Sequence, residues 1–117
     1  MSYYIHAAKF FLKNTTENGG YLEVTDDGKF GEFIPTDHPA PKGKVVDYDG
    51  QWIAPGLVDT HIHGLLDHDV MDNDWEGLNE MSEGLLRTGV TSWLPTTLTA
   101  SFEQLNDVCK TIGDHAG

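Results

Sequence analysis

His61 and His63 are the residues of this 117-residue sequence whose type and spacing point most directly to chemistry. In an extended strand, residues two apart project to the same face, so Leu57-Val58-Asp59-Thr60-His61-Ile62-His63 would aim both imidazoles together. Imidazole is a common ligand of borderline divalent metals, and two from one strand make half of a tetrahedral first shell. A bare His-x-His also fits two ordinary polar residues at a strand end. Two features favour the ligand reading here. Asp59 lies on the same face, where it reads as a hydrogen-bonding anchor rather than a ligand. Pro55-Gly56 sets the strand apart as the opening of a new unit.

The neighbouring polar residues are more ambiguous. His68 with Asp67, Asp69 and Asp72 fits either the mouth of a site or a solvated acidic loop. Thr96 and Thr97, after Pro95, fit either a substrate-facing position or a turn. His6, His38 and His115 have no partner spacing.

The elements that must position the pair come in two textures. Before Trp52, short strands alternate with turns. These are Tyr3–Leu12, Tyr21–Val24, Phe30–Ile34 and Lys44–Tyr48, punctuated by Asn18-Gly19-Gly20, Asp26–Lys29 and Asp49-Gly50. Such spacing suggests a small antiparallel sheet or sandwich. After Pro55-Gly56 the order becomes β-α-β-α, the signature of a parallel α/β architecture. A strand to His63 leads through a polar loop, residues 64–73, to a helix capped by Asn73 with Glu76 at its third position. Trp75, Leu78, Met81 and Leu85 give that helix an apolar stripe, and Gly89 ends it. Val90–Leu94 is the next strand. A second helix is capped by Ser101, striped by Phe102, Leu105, Val108, Cys109 and Ile112, and expected to stop at Gly113. Trp75 and Trp93 read as core, and Cys109 on its helical stripe as an inert small hydrophobe.

Composition limits the partners. Seven basic residues against nineteen acidic ones leave a formal charge of −12. Nothing here neutralises a run of phosphates, which excludes nucleic acid and an anionic membrane surface. No apolar run approaches the roughly 18 residues of a spanning helix. One cysteine excludes an internal disulfide framework and a cysteine-based zinc site. A folded cytoplasmic protein is the expectation.

Ile53-Ala54-Pro55-Gly56-Leu57-Val58-Asp59-Thr60-His61-Ile62-His63-Gly64 resembles the first-strand motif of the amidohydrolase superfamily of metal-dependent hydrolases. Gly89-Val90-Thr91-Ser92-Trp93-Leu94-Pro95-Thr96-Thr97, with Asp69-Val70-Met71-Asp72 after the first strand, is similar to the sugar-phosphate branch of that superfamily, the N-acetylglucosamine-6-phosphate deacetylases. The resemblance implies an α/β fold that starts a (β/α)8 TIM-type barrel preceded by part of a small β-sandwich. Residues 1–53 would form the N-terminal part of the sandwich, and 54–117 the first two βα units of the barrel. It implies a divalent metal, zinc or iron, held by His61 and His63, with acetyl removal from a sugar phosphate as the reaction. A metal-binding Glu and a general acid/base Asp are expected outside residues 1–117, as are the basic groups that meet the phosphate. A homodimer is implied for the full-length enzyme, and inactivity for these residues alone. One departure stands out: many relatives are glycine-rich where this chain reads Leu65-Leu66-Asp67-His68. Two alternatives stay open. One is another amidohydrolase acting on a cyclic amide, as dihydroorotases do, or on a different N-acyl substrate. The other is a truncated, non-catalytic chain that self-associates.

Overall fold

The computed structural model describes residues 1–116; Gly117, the last residue of the expected second unit, lies outside them. The chain divides into two compact units, Met1–Pro55 and a second that begins at Gly56.

In the first unit the aromatic and branched run Tyr3–Phe11 forms strand β1, followed by β2 (Thr16–Asn18), β3 (Tyr21–Val24), β4 (Phe30–Ile34) and β5 (Val45–Ile53). β1 pairs antiparallel with β3 through Tyr3–His6 and with β2 through Lys9–Phe11. It pairs parallel with β5 from Tyr4 to Phe10, so β2 and β3 share the opposite edge. β4 lies outside β3. The sheet is therefore five-stranded and mixed, not the four-stranded antiparallel arrangement that the turn spacing suggests. The β2–β3 turn does use Asn18-Gly19-Gly20, with φ of 73° at Gly19 and 101° at Gly20. A Cβ at Gly20 would lie 2.7 Å from both the Ile34 carbonyl and the Phe33 ring, so the position excludes a side chain on two counts. Asp49-Gly50 does not end a strand. Gly50, at φ 73°, sits where the β1–β5 register slips between Ala7 and Lys9, and β5 continues to Ile53. A turn signal inside a longer strand has become a bulge. Ala7, Phe10 and Leu22 form the buried core, with Ile5, Leu12, Phe33 and Ile53 packed on it. In the β3–β4 turn the Lys29 ammonium, then the Thr25 hydroxyl, hold the Asp27 carboxyl below its ordinary value.

The second unit begins with β6 (Leu57–Ile62), paired parallel with β9 (Val90–Pro95). Helix α1 (Trp75–Arg87) connects them, and α2 (Phe102–His115) follows. The expected β-α-β-α order is present, and among the described residues no helix is long and apolar enough to cross a membrane. Val70, Leu78, Met81 and Val108 make the core, with Leu65, Met71, Trp93 and Ile112 packed against it.

Several local expectations are corrected. The loop 64–73 contains a hairpin, β7 (Gly64–Leu65) and β8 (His68–Asp69), then a 3-10 turn over Val70–Asp72. That turn ends at Asn73, left-handed at φ 53°, so the cap of α1 falls one residue later. The Asp74 carboxylate accepts the Glu76 and Gly77 amides at 3.1 Å each. Asn73 instead accepts the Thr111 hydroxyl at 2.6 Å. Asp74→Ala should cost about 1 kcal/mol. Amide exchange should quicken at Glu76 and Gly77 in that variant and not in Asn73→Ala.

At the other end of α1 Gly89, at φ 88°, follows the Thr88 cap as expected. Helix α2 passes through Gly113 to His115. One glycine in a helix costs only about 1 kcal/mol, and the two residues beyond it bring His115 to stack on Trp75 with centroids 4.1 Å apart. Trp75 is thus a partly exposed stacking partner rather than core, and Phe102 and Cys109 are exposed on α2. Trp93 is packed on the core and donates to the Ser82 hydroxyl at 3.0 Å.

Candidate metal centre

Strand β6 ends at Ile62, so His63 stands one residue beyond it, just before the β7–β8 hairpin. The β6–β9 register slips between Asp59 and Ile62, placing a bulge at Thr60-His61. Bulges re-aim side chains near functional sites. Here the two imidazoles meet at their Nε2 atoms, 3.1 Å apart, with the rings at 88° to one another. His61 is exposed and His63 half-buried.

One hydrogen bond of the pair has a partner of fixed role. His63 Nδ1 lies 2.9 Å from the Thr96 carbonyl, which can only accept, so Nδ1 carries a hydrogen, and in the neutral ring Nε2 keeps its lone pair. The donor set fits a metal. Two Nε2 atoms at this separation can each make a bond of about 2.0–2.1 Å to one borderline divalent ion. Among the described residues no group of three or more His, Cys, Asp and Glu side chains is placed to hold a metal, so the pair makes half of a site.

The remaining residues have separate tasks. Asp59 accepts the His61 backbone amide at 3.0 Å and so anchors its own strand. His68 is not joined to the pair; its Nε2 meets the Glu80 carboxylate of α1 at 3.0 Å. Its ring lies over Gly77, where a Cβ would come within 2.7 Å of Nδ1. One face of α1 receives the hairpin at a second glycine two turns on: a Cβ at Gly84 would meet Leu66 at 2.8 Å and Leu65 at 3.1 Å. The hairpin turn itself carries Leu66 at φ 56° and Asp67 at φ 62°. That is the two-residue loop usually filled by Asn-Gly, with leucine in a region it rarely adopts. The departure from the glycine-rich pattern thus falls on the two positions where glycine would relieve strain. Asp69 accepts the Met71 amide, and Asp72 the Asp69 amide, closing a reciprocal cap on the 3-10 turn.

Thr96 ties the ends of β6 and β9 together and is not a bare turn residue. Its amide donates to the Ile62 carbonyl at 2.9 Å, and its hydroxyl accepts the Ile62 amide at 3.2 Å. The hydroxyl's own hydrogen goes to the Leu94 carbonyl at 3.0 Å. Nothing in the composition singles out this network. The one sequence signal is that Thr96 follows the proline ending β9.

No family model matches the chain. It is 38% identical over 68 residues to an N-acetylgalactosamine-6-phosphate deacetylase of Escherichia coli O157:H7, covering 58% of this chain and 18% of that protein. It is 33% identical over 89 residues to an N-acetylglucosamine-6-phosphate deacetylase of Lysinibacillus sphaericus, covering 76% of this chain and 23% of that one. The crystal structure of the N-acetylglucosamine-6-phosphate deacetylase of Pasteurella multocida superposes with a TM-score of 0.86 at 22% identity, over 98% of this chain and 30% of the other. The chain thus spans about a fifth of the length of these curated relatives. By sequence and by fold, it is related to the N-terminal portion of the N-acetylglucosamine-6-phosphate deacetylases.

Proposed function

We propose that this chain is the N-terminal portion of a metal-dependent hydrolase that removes the acetyl group from N-acetylglucosamine-6-phosphate, leaving glucosamine-6-phosphate and acetate. The observation that carries the reading is the convergence of the His61 and His63 Nε2 atoms, with the His63 lone pair freed by the bond from its Nδ1 to Thr96. In this reading residues 1–53 are part of a small β-sandwich, and 54–117 are the first two βα units of a (β/α)8 barrel. His61 and His63 lie at the C-terminal end of β6, the edge of such barrels where active sites are built.

His61 and His63 would hold a divalent ion, zinc or iron. Once bound, that ion supplies Lewis acidity toward the acetamide carbonyl and lowers the pKa of water. The chain's own contribution is positional. The bulge turns His61 toward His63, and Thr96 orients the His63 ring. The further metal ligands, the general acid/base carboxylate and the phosphate contacts are assigned outside residues 1–117. On this proposal the complete enzyme would be a cytoplasmic homodimer.

A second reading concerns the sugar alone. The relative with 38% identity acts, by its name, on the galactosamine epimer. The test is to measure metal content and acetate release, from both epimers, for residues 1–117 and for a chain extended to the length of the relatives. Turnover by the extended chain only, with bound metal, supports the proposal. Turnover by residues 1–117 alone would mean the active site is misplaced.

A further inference from the structure

We infer that Thr96 is the positioning residue of the histidine pair: it holds His63 as the Nδ1–H tautomer, with the Nε2 lone pair aimed at the ligand position. The inference deepens the metal reading above and rests on it for its functional meaning. A carbonyl can orient a ring only if it is itself held, and the Thr96 carbonyl is. Three hydrogen bonds fix the residue: amide to Ile62 carbonyl, hydroxyl from Ile62 amide, and hydroxyl to Leu94 carbonyl. Each is consistent in donor and acceptor, and together they use the hydroxyl's one hydrogen and one of its lone pairs.

Position makes these bonds matter. The β6–β9 ladder is irregular between Asp59 and Ile62, the stretch that carries His61. Pro95, the last residue of β9, has no N–H for the ladder. Thr96 therefore rejoins the two strands beyond the bulge, next to His63. The side chain supplies the extra acceptor that the Ile62 amide needs, and the main chain supplies the acceptor that sets the ring.

His63 already presents a lone pair. Outer partners of this kind typically change metal affinity about 10–100-fold when removed, an effect of at most that size being expected here.

The experiment uses residues 1–117, with Co2+ alone as the metal probe. Long-range 1H–15N spectra of the metal-free chain, recorded at a pH where both imidazoles are neutral, should show the hydrogen on Nδ1 of His63. Thr96→Val keeps the shape and deletes the hydroxyl. The carbonyl stays but is freed to shift, so His63 should become a mixture of tautomers and Co2+ binding should weaken, by at most the roughly 10–100-fold that loss of an outer partner typically costs. Thr96→Ser should restore both. A wild-type His63 with its hydrogen on Nε2 overturns the inference without recourse to any variant. So does a folded Thr96→Val with the His63 tautomer unchanged. If the tautomers behave as stated but Co2+ never contacts either imidazole, the positioning role stands and the metal reading fails.

Discussion

Replacing His61 or His63 by alanine in the extended protein should lower acetate release by more than about a hundredfold, since even outer partners of a metal ligand are worth 10–100-fold. Neither change should unfold the chain. His61 is exposed and His63 only half-buried, so each truncation removes little packing. Metal content, measured by elemental analysis, should fall in parallel with activity, while the melting temperature stays within a few degrees. The two variants should differ in detail. His63→Ala leaves the Thr96 carbonyl without its imidazole donor, whereas His61→Ala leaves that bond in place. Full activity with both histidines replaced would remove the metal assignment.

Phe10→Ala should have the largest effect on stability, about 3–5 kcal/mol. Phe10 is fully buried beside Ala7 and Leu22, with the Phe33 ring edge-on at 5.3 Å. A unit that spans Met1–Pro55 has few such residues to lose. Cores in chains this short rarely supply more than about 3–5 kcal/mol in total. The variant should therefore lose the cooperative urea transition of this unit altogether. Phe30→Ala is the control, because Phe30 is 71% exposed and its loss should change stability by about 0.5 kcal/mol or less. Equal effects from the two would mean that the sheet's core lies elsewhere.

What the sequence discloses depends on whether the signal is local. The Asn18-Gly19-Gly20 turn, the stripe of α1 and its Gly89 stop are all readable, because each is set by residues within a few positions of one another. The course of β5 is not readable. Its parallel partner β1 lies some forty residues away, and Asp49-Gly50 looks the same in a turn as in a bulge. Strand β2 has three residues, too few for any alternation to register. Asn73 and Asp74 both suit a helix cap, and only the 3-10 turn before them decides which one acts. Periodicity located the apolar stripe of α2 but could not show what covers it, hence the exposed Phe102 and Cys109.

The site divides in the same way. A period of two in a strand makes the approach of His61 and His63 foreseeable. The bulge at Thr60-His61 and the role of a main-chain carbonyl are invisible to a reading of side-chain types. The glycines at 77 and 84 are legible only afterwards, once a hairpin is known to lie against them.

The parallel pairing of β1 with β5 also bears on how the chain comes off the ribosome. Tyr4 meets Val45 and Ile5 meets Val46, each pair 41 residues apart. At synthesis rates of about 5–20 residues per second, the second partner emerges roughly 2–8 s after the first. During that interval β1 can pair with β2 and β3, which follow it closely, while its other edge stays open. An open edge is a template for any other extended chain within reach. Nascent copies on one messenger are the nearest such chains. Slowed translation between Pro35 and Lys44 should therefore raise the aggregated fraction without altering the folded product.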